Sequence, residues 1–453
     1  EHDDWYSFLS RNQDTNADDM HSYSSMTYDE SKVRSLINDE LYGYATRIIN
    51  FHEENNTIED AYAFRLTLSG AINEGGQAVI EAIDKELEGI ILKEVWIYRK
   101  LGDFEGIESF KDLKPRPIPS ILDLRKKYDA FGNFLKWKAR FCAGGHRQDR
   151  GDYDEDQLTS PCVMLESIFC LLGFAAEWKA LITVVDIGQA YLEAGIGSDI
   201  VHMWLNKRVV DSIKKYDKTI DEYIQPDGRV LVQLIKALYG TIQAARCWYD
   251  KLKSILLEYD FEQHTNDPCV YMKIVNGAKL VVAFHVDDLL IISQNQNATD
   301  KFLKFLLTKV KTIVIHKDKE LPYLGMVLTH ENDGHYSVNM QAYEEKIFQQ
   351  FPVTENKRVT SPARDNLFEI AHDEDAELLN EKDRKLYHKV VYMLLFLCKR
   401  VRVECLMTIS YLASRVTKAN KKDLKDLIIV LQFLKNYPNK KIHYIHSASD
   451  KVE

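Results

Sequence analysis

The segment 280–292, LVVAFHVDDLLII, constrains the fold more than any other part of the sequence. Two adjacent aspartates, Asp287 and Asp288, separate two apolar runs whose composition is typical of buried strands. Because burying two unpaired carboxylates would be costly, the pattern predicts a strand–turn–strand hairpin with both acids at the turn. Neighbouring carboxylates repel each other unless a cation is present, and Mg²⁺ prefers oxygen ligands. The segment therefore predicts a metal-binding hairpin, and its simpler alternative is an ordinary Asp-Asp turn.

A third acid, Asp186, ends the apolar run 181–186. A lone aspartate at a strand end is usually a helix cap or a turn former, so this signal is weak by itself. Tyr191 follows five residues later, where a bulky ring beside a nascent sugar could exclude a 2′-hydroxyl; the alternative is an ordinary core aromatic. Three carboxylates can together hold two divalent ions in a phosphoryl-transfer site. The residues alone make Asp186 a candidate metal ligand and do not show that it lies near the two hairpin acids.

Hydrophobic periodicity along the rest of the chain predicts an α+β fold, with helices packed on a small antiparallel sheet. The predicted helices begin at Asn73 and cover 165–178, 243–259, 341–351 and much of 384–436. The predicted strands are 181–186, 231–237, 270–274 and 279–292, with a hairpin turn at 129–133 and a loop-rich insertion at 205–228.

The charge distribution decides which partners are plausible. The net charge is −10, but residues 1–60 alone hold 14 Asp+Glu against 4 Lys+Arg, so the remainder is neutral overall. Within that remainder, residues 399–442 hold 11 Lys+Arg against 3 acids, and a second basic stretch runs from 111 to 150. Local basic surfaces suit a phosphate backbone, although solvated helix faces explain any single stretch equally well.

Further features bound the protein class. No apolar run reaches the roughly 18 residues that span a bilayer, so no membrane partner is expected. The seven cysteines form no CxxC pair, which indicates reduced thiols in an intracellular compartment and disfavours zinc. The acidic start is unlike a signal peptide. Because the first residue is not Met, we expect a piece of a longer chain.

Five segments, taken in order, resemble the reverse transcriptases of copia-type long-terminal-repeat retrotransposons. They are 137–148 (WKARFCAGGHRQ), 184–194 (VVDIGQAYLEA), 236–249 (KALYGTIQAARCWY), 284–290 (FHVDDLL) and 321–325 (LPYLG). The resemblance extends over residues 75–440. Five collinear motifs make a chance similarity very improbable.

The resemblance implies a role for each matching residue. The implied catalytic and metal-binding residues are Asp186, Asp287 and Asp288. The implied nucleotide-side residues are Lys138, Arg140, Tyr191, Tyr239, Gly240 and Gln243, and the implied primer-side residues are His285, Tyr323, Leu324 and Gly325. On a strand, Lys138 and Arg140 would share one face, which independently suits a phosphate-gripping pair. A solvated hairpin face is the alternative for that pair, and a simple strand-to-helix turn is the alternative for Gly240.

The resemblance also implies a right-hand polymerase of fingers, palm and thumb, with an antiparallel palm sheet and a helical connection segment. The expected division is an acidic, mobile N-terminal extension at 1–72, fingers with the start of the palm at 73–180, palm at 181–330, thumb at 331–365 and connection at 366–453. A ribonuclease H domain would be absent or truncated, because 440–453 offers at most its first strand.

The function implied is RNA-directed DNA polymerisation with Mg²⁺, or Mn²⁺ in its place. The expected partners are an RNA or DNA template with its primer, deoxynucleoside triphosphates, and other pieces of the same polyprotein such as integrase and ribonuclease H. The expected location is the cytoplasm, in a virus-like particle, with the nucleus as an alternative. The rival function is that of a decayed or repurposed element copy that binds nucleic acid without polymerising.

The chain departs from the family pattern at four positions. His285 stands where the catalytic box usually opens with Tyr, and Ile242 and Ala245 replace a Lys and a Pro in the third segment. Val403 replaces the Pro of an Arg-Pro pair, after Arg402. None of these positions is an expected metal ligand, and they are the features that favour the rival function.

Overall fold

A computed structural model of the protein describes residues 68–128, 134–331, 334–351, 353, 358–369 and 376–446. The expected N-terminal extension lies almost wholly outside the described residues, as does the turn 129–133. In the described ranges, no helix is both long and apolar enough to cross a membrane.

Helices and sheets alternate along the chain, which confirms the predicted α+β class. The helices are α1 Leu68–Gly75, α2 Gln77–Leu92, α3 Glu155–Leu158, α4 Leu165–Glu177, α5 Lys207–Ile213, α6 Ala244–Glu258, α7 Gln296–Lys309, α8 Gln341–Gln350, α9 Glu381–Cys398, α10 Leu406–Ser414 and α11 Lys421–Asn436. The strands are β1 Trp96–Arg99, β2 Ile118–Tyr128, β3 Phe134–Ala143, β4 Leu181–Ile187, β5 His202–Leu205, β6 Val230–Leu234, β7 Glu262–Gln263, β8 Val270–Val275, β9 Ala278–His285, β10 Asp288–Ser293, β11 Ile313–His316, β12 Glu320–Tyr323, β13 Met326–His330, β14 Tyr336–Asn339 and β15 Ile442–Tyr444.

The first of two compact units takes its described residues mainly from 68–127, Phe134–Pro161 and Gln189–Ser254. Its five-stranded sheet has the order β1-β6-β5-β2-β3. The β2–β5 pairing is parallel, whereas β1 and β5 each pair with β6 in antiparallel fashion. Helix α2 packs on β3, because its apolar residues Val79, Ile83, Leu87 and Ile90 recur at helical spacing and are all buried.

The second unit contains Cys162–Gly188 and the chain from Ile255 onward. Its six-stranded sheet, of order β11-β4-β10-β9-β8-β7, is antiparallel at each described pairing. A four-stranded sheet of order β12-β13-β14-β15 accompanies it. Strands β9 and β10 are buried through most of their length, which explains why their sequence is continuously apolar rather than alternating.

Several local expectations need correction. The first predicted helix begins at Leu68 instead of Asn73 and is interrupted at Gly76, whose φ of 52° belongs to the left-handed region. The supposed loop-rich insertion contains helix α5. The side chain of Asn206 caps that helix by accepting a hydrogen bond from the Val209 amide at 3.1 Å.

The C-terminal region differs from expectation in two ways. The helical stretch predicted across 384–436 is three helices, and Asn380 and Asn420 cap the first and the last of them. The segment read as a first ribonuclease H strand is β15, which pairs with β14 of the four-stranded sheet. The expected division into fingers, palm, thumb and connection stays a prediction.

Candidate functional site

The three aspartates predicted to bind metal come together at one end of the six-stranded sheet. Asp186 on β4 is directly opposite Asp288 on β10, and Asp288 is directly opposite His285 on β9. Val314 on β11 pairs with the other side of Asp186. Directly opposed residues of antiparallel strands project from the same face. A row of four side chains, Val314, Asp186, Asp288 and His285, therefore crosses this face of the sheet.

The hairpin turn predicted for the two acids is present. Strands β9 and β10 are joined by two residues, Val286 and Asp287, between the paired His285 and Asp288. Val286 has a φ of 58° and Asp287 is not among the positive-φ residues, a pattern typical of a type II′ turn. A β-branched residue in the left-handed region is strained. The Ile187 amide donates to the Asp287 carbonyl at 3.0 Å and so ties the turn to β4.

The aspartates of this site influence one another electrostatically. Burial, followed by the charges of Asp287 and Asp186, raises the pKa of Asp288 to about 6. Among the described residues no three carboxylate, imidazole or thiol groups are already gathered closely enough to enclose an ion. Mg²⁺ commonly uses only one or two carboxylates and completes its shell with water and substrate phosphates. The donor set therefore fits a divalent cation that binds together with a phosphorylated substrate.

His285 occupies the end of the row where the family usually has Tyr. Its ring is half-buried. Burial lowers its pKa, the charge of Arg400 lowers it further, and Asp287 opposes both effects. His285 is therefore neutral at pH 7, so it adds no positive charge beside the aspartates.

The turn predicted to hold the primer is a two-residue hairpin between β12 and β13, with Tyr323 paired to Met326. Leu324 and Gly325 have φ values of 47° and 79°, as a type I′ turn requires. Tyr323 itself is 2% exposed. Its ring therefore belongs to the core, and any contact with a primer at this turn falls to Leu324 and Gly325.

One set of candidate residues was missed by the sequence reasoning. Helix α9 carries a stripe at four-residue spacing that remains accessible while the opposite face is buried. The stripe, called here the α9 stripe, consists of Arg384, His388, Tyr392 and Phe396 on the helix and of Arg400 two residues after the helix ends at Cys398. The i, i+4 recurrence of aromatic and basic residues was the available signal, since such residues share one helix face.

Contacts along the α9 stripe join it to the primer turn. The rings of His388 and Tyr392 lie 4.7 Å apart, and the Arg400 guanidinium lies 3.6 Å from the centroid of the Phe396 ring. A Cβ atom at Gly325 would approach Phe396 to 3.0 Å, so turn and stripe are in close contact. Aromatic rings flanked by basic side chains, as on this stripe, are typical of surfaces that hold nucleic acid.

In the first unit, the predicted phosphate-gripping pair lies on β3. Trp137, Ala139 and Phe141 are buried, whereas Lys138 is exposed and Arg140 half-buried. This alternation confirms that Lys138 and Arg140 share a face. The Arg140 guanidinium lies 5.0 Å from the centroid of the Tyr239 ring, and the Tyr239 and Tyr191 rings are 5.0 Å apart. The structure therefore gathers Arg140, Tyr239 and Tyr191 into one cluster.

Gly240 holds two motif backbones together. Its φ is 88°, and a Cβ there would come within 2.2 Å of the Ala143 carbonyl oxygen. A Cβ at Gly145 would meet the Gly240 carbonyl oxygen at 1.9 Å. Two backbones can approach this closely only when both positions are glycine. Gly240 is thus required by its turn and by the packing of segment 236–249 against segment 137–148.

Gln243 is 1% exposed, and its side-chain amide makes hydrogen bonds within the first unit. Its Oε1 accepts from Gln148 Nε2 at 3.1 Å, and its Nε2 donates to Tyr153 at 3.4 Å and to Asp199 at 3.3 Å. Gln148 Oε1 in turn accepts from the Ile242 amide at 3.1 Å. The predicted nucleotide-lining role of Gln243 stays a prediction, and its burial favours an indirect contribution.

Comparisons with known proteins agree with the resemblance seen in the five segments. A family described as "Reverse transcriptase (RNA-dependent DNA polymerase)" matches residues 107–365. The Transposon Ty1-NL2 Gag-Pol polyprotein of Saccharomyces cerevisiae is 24% identical over 405 residues, covering 82% of this chain and 21% of that protein. The Retrovirus-related Pol polyprotein from transposon TNT 1-94 of Nicotiana tabacum is 24% identical over 291 residues, covering 64% of this chain and 20% of that protein.

A similar solved structure is that of a foamy viral protease–reverse transcriptase in complex with double-stranded DNA. It has a TM-score of 0.39 and 11% sequence identity, and the match covers 81% of this chain and 49% of that chain. The present chain spans about a fifth of the length of the curated polyproteins that it matches.

Proposed function

Because the chain belongs to the reverse transcriptase (RNA-dependent DNA polymerase) family, we propose that it is a retrotransposon polymerase that extends a primer 3′ end by two-metal-ion catalysis. The observation that carries this proposal is the cross-strand alignment of Asp186 with Asp288, with Asp287 in the adjoining turn. Few purposes other than cation binding explain three acids at one end of an otherwise apolar pair of strands.

Asp186, Asp287 and Asp288 would hold two divalent ions, Mg²⁺ or Mn²⁺. When bound, such ions activate the primer hydroxyl and neutralise the charge that develops on the leaving pyrophosphate. The protein contributes fixed positions, because Asp186 and Asp288 stand on paired strands and the turn of Asp287 is bonded to Ile187. Neutral His285, at the end of the same row, would contact the primer terminus without adding a positive charge beside the metal sites.

The cluster in the first unit supplies groups that suit an incoming deoxynucleoside triphosphate. Lys138 and Arg140 present cations from one face of β3, and an arginine can bind phosphate oxygens in a bidentate manner. The Tyr191 ring, supported by Tyr239 at 5.0 Å, would exclude a ribose 2′-hydroxyl by steric contact. Selection of deoxynucleotides is therefore assigned to Tyr191.

The α9 stripe and the primer turn suit a nucleic-acid strand on the second unit. Arg384 and His388 are exposed, and Tyr392 and Phe396 are half-exposed, so both charge and ring faces remain available. The proposed occupant is the primer strand paired with an RNA or DNA template. Other pieces of the same polyprotein, integrase and ribonuclease H, are proposed partners. The proposed location is the cytoplasm, in a virus-like particle, or the nucleus.

The proposed function is tested by primer extension on poly(rA)–oligo(dT) with dTTP, with and without Mg²⁺. We expect extension that requires the metal and that falls by about 10³-fold in Asp287→Asn, which corresponds to about 4 kcal/mol of barrier. The matched control is Asp260→Asn, which neutralises an exposed acid in the same unit at a φ of 59° that asparagine tolerates. No extension by the wild-type protein, with binding of the primer–template intact, would favour a repurposed element copy.

A further inference from the structure

We propose that Glu86 on helix α2 is the residue that positions the nucleotide-selecting cluster of Arg140 and Tyr191. The proposal rests on the function proposed above for that cluster, and it adds a residue that none of the five motif segments contains. Glu86 lies on a helix outside those segments, so no motif comparison points to it.

Both oxygens of the Glu86 carboxylate are engaged by neutral donors within the first unit. Oε1 accepts from the Phe141 backbone amide at 3.1 Å, and Oε2 accepts from Gln189 Nε2 at 3.1 Å. Phe141 directly follows Arg140, and Gln189 precedes Tyr191 by two residues. One half-buried side chain therefore bridges the strand that carries the cation and the turn that carries the aromatic ring.

The Gln189 side of the bridge is built for close approach. Gln189 has φ and ψ of 51° and 49°, a left-handed conformation, and it begins the short 3-10 turn Ala190–Glu193. Gly89 faces it from α2, one helical turn after Glu86. A Cβ at Gly89 would lie 2.8–2.9 Å from the Gln189 amide group. Because Gly89 has no side chain, there is room beside helix α2 for the Gln189 side chain. Glu86 then holds the Gln189 amide group in that space by a hydrogen bond.

The Phe141 side of the bridge acts at the edge of the sheet. Among the described residues, strand β3 is the last strand of the order β1-β6-β5-β2-β3, so no described strand pairs with the amides of its outer edge. The Glu86 carboxylate satisfies one of these amides next to Arg140. Because the edge strand is fixed at that point, the backbone that carries Lys138 and Arg140 is fixed as well. Less conformational entropy is then lost when these two side chains bind a phosphate group.

Glu86 could act through its negative charge near Lys138 and Arg140 or as a hydrogen-bond acceptor, and these two roles predict different effects of substitution. Burial raises the pKa of Glu86, while the Phe141 and Gln189 hydrogen bonds and the two cations lower it. If Glu86 acted through its charge, Glu86→Gln would behave like Glu86→Ala. If it acts as a positioning hydrogen-bond acceptor, Glu86→Gln should retain function. Its carbonyl oxygen can still accept from Phe141, and its amide can donate to a flipped Gln189.

The test measures nucleotide KM, kcat and the preference for dTTP over UTP on poly(rA)–oligo(dT). We expect Glu86→Ala to raise KM for dTTP by about 10-fold and to reduce the dTTP/UTP preference by about 5-fold, with kcat within about 3-fold. Glu86→Gln should remain within about 2-fold of wild type in both respects. Gly89→Ala, which crowds Gln189 from the other side, should lower the sugar preference in the same direction.

The matched control is Glu88→Ala, an exposed glutamate on the same helix; it should change neither quantity. The proposal is overturned if folded Glu86→Ala keeps wild-type KM and sugar preference, or if Glu86→Gln fails as badly as Glu86→Ala. Equilibrium binding of a fluorescent dATP analogue in Ca²⁺ separates this outcome from failure of the proposed function. If the wild type does not extend primers, the binding measurement still tests the positioning role. Analogue binding that is about 10-fold weaker in Glu86→Ala, and unchanged in Glu86→Gln, would support the role. Equal binding by the wild type and Glu86→Ala would overturn it.

Discussion

Asp186 and Asp288 are directly opposed across β4 and β10, so two acids of like charge form a cross-strand pair at the end of an apolar sheet. Like charges in this position destabilise a sheet. Burial raises the pKa of Asp288 to about 6, and the charges of Asp287 and then Asp186 add to that rise. The site is therefore a place where stability and the proposed activity oppose each other.

Asp288→Asn should abolish primer extension and stabilise the metal-free protein. The folded-state pKa of Asp288 lies above its unfolded value, so ionisation disfavours folding. The penalty is absent below about pH 4, grows as the pH rises to about 6, and is complete above that. Because the carboxyl is partly exposed, we expect a gain of only about 1 kcal/mol at pH 7. Urea unfolding in EDTA at pH 4 and pH 7 measures the difference.

Asp260→Asn serves as the control for that measurement, because it removes an exposed charge that forms an ion pair with Lys273 at the surface. Added Mg²⁺ should stabilise the wild type more than Asp288→Asn, since binding to the folded state raises stability by mass action. Equal stability of the wild type and Asp288→Asn at pH 7 would show that neither burial nor the neighbouring aspartates penalise the ionised Asp288 carboxylate.

Tyr191→Val should relax the discrimination against ribonucleotides. Removing the ring opens the space beside Tyr239 where a 2′-hydroxyl would lie. We expect incorporation of UTP relative to dTTP to rise by one to three orders of magnitude, or about 1.4–4 kcal/mol of lost exclusion. Tyr191→Phe keeps the ring and should keep the discrimination. An unchanged ratio in Tyr191→Val would make Tyr191 an ordinary packing residue.

Phe396→Ala should weaken binding of a primer–template duplex. The ring lies between the primer turn and the Arg400 guanidinium, so its loss removes a stacking surface and loosens a cation. We expect a Kd about 5- to 10-fold higher by fluorescence anisotropy with a labelled duplex. Leu386→Ala alters an exposed apolar residue of the same helix, away from the α9 stripe, and should leave Kd unchanged. If both variants bind like wild type, the stripe does not contact nucleic acid.

Arg402→Met should strongly destabilise the protein, whereas the additional change Glu344→Leu should recover most of the loss. Arg402 is fully buried and donates to Glu344 at 2.8 Å and to Glu404 at 2.9 Å. Leaving a buried charge without its partner costs about 3–5 kcal/mol. The exposed pair Lys207–Asp211 is the control, and Lys207→Met should cost less than about 0.5 kcal/mol. Urea midpoints of the single and double variants form the cycle.

The sequence was most informative where one residue pattern has one economical solution. Two acids between apolar runs predicted the hairpin of β9 and β10 and the turn at Asp287. The shared face of Lys138 and Arg140 followed from the two-residue period of a strand. The meeting of Asp186 with Asp288 could be anticipated only from the family resemblance, because strand pairing depends on contacts about 100 residues apart that no local pattern encodes.

Other features depend on tertiary context that a linear reading lacks. Gln243 carries a polar side chain in a motif expected to face the nucleotide, yet it is buried because Gln148, Tyr153 and Asp199 satisfy its amide. Glu86 resembles any other glutamate of an amphipathic helix until its two donors, the Phe141 amide and the Gln189 side chain, are located in the fold. Tyr323 was expected at the primer, but the pleat of β12 turns its ring into the core.

The pairing of β15 with β14 has a practical consequence for where the polypeptide can be cut. Residues 442–444 cover the backbone edge of the strand that immediately precedes α8, in the same sheet as the primer turn. A product severed before Ile442 would expose that edge, and uncovered edges recruit other strands and promote aggregation. A shortened variant made for solution work should therefore retain Ile442–Tyr444, and one that ends before Ile442 should aggregate more readily.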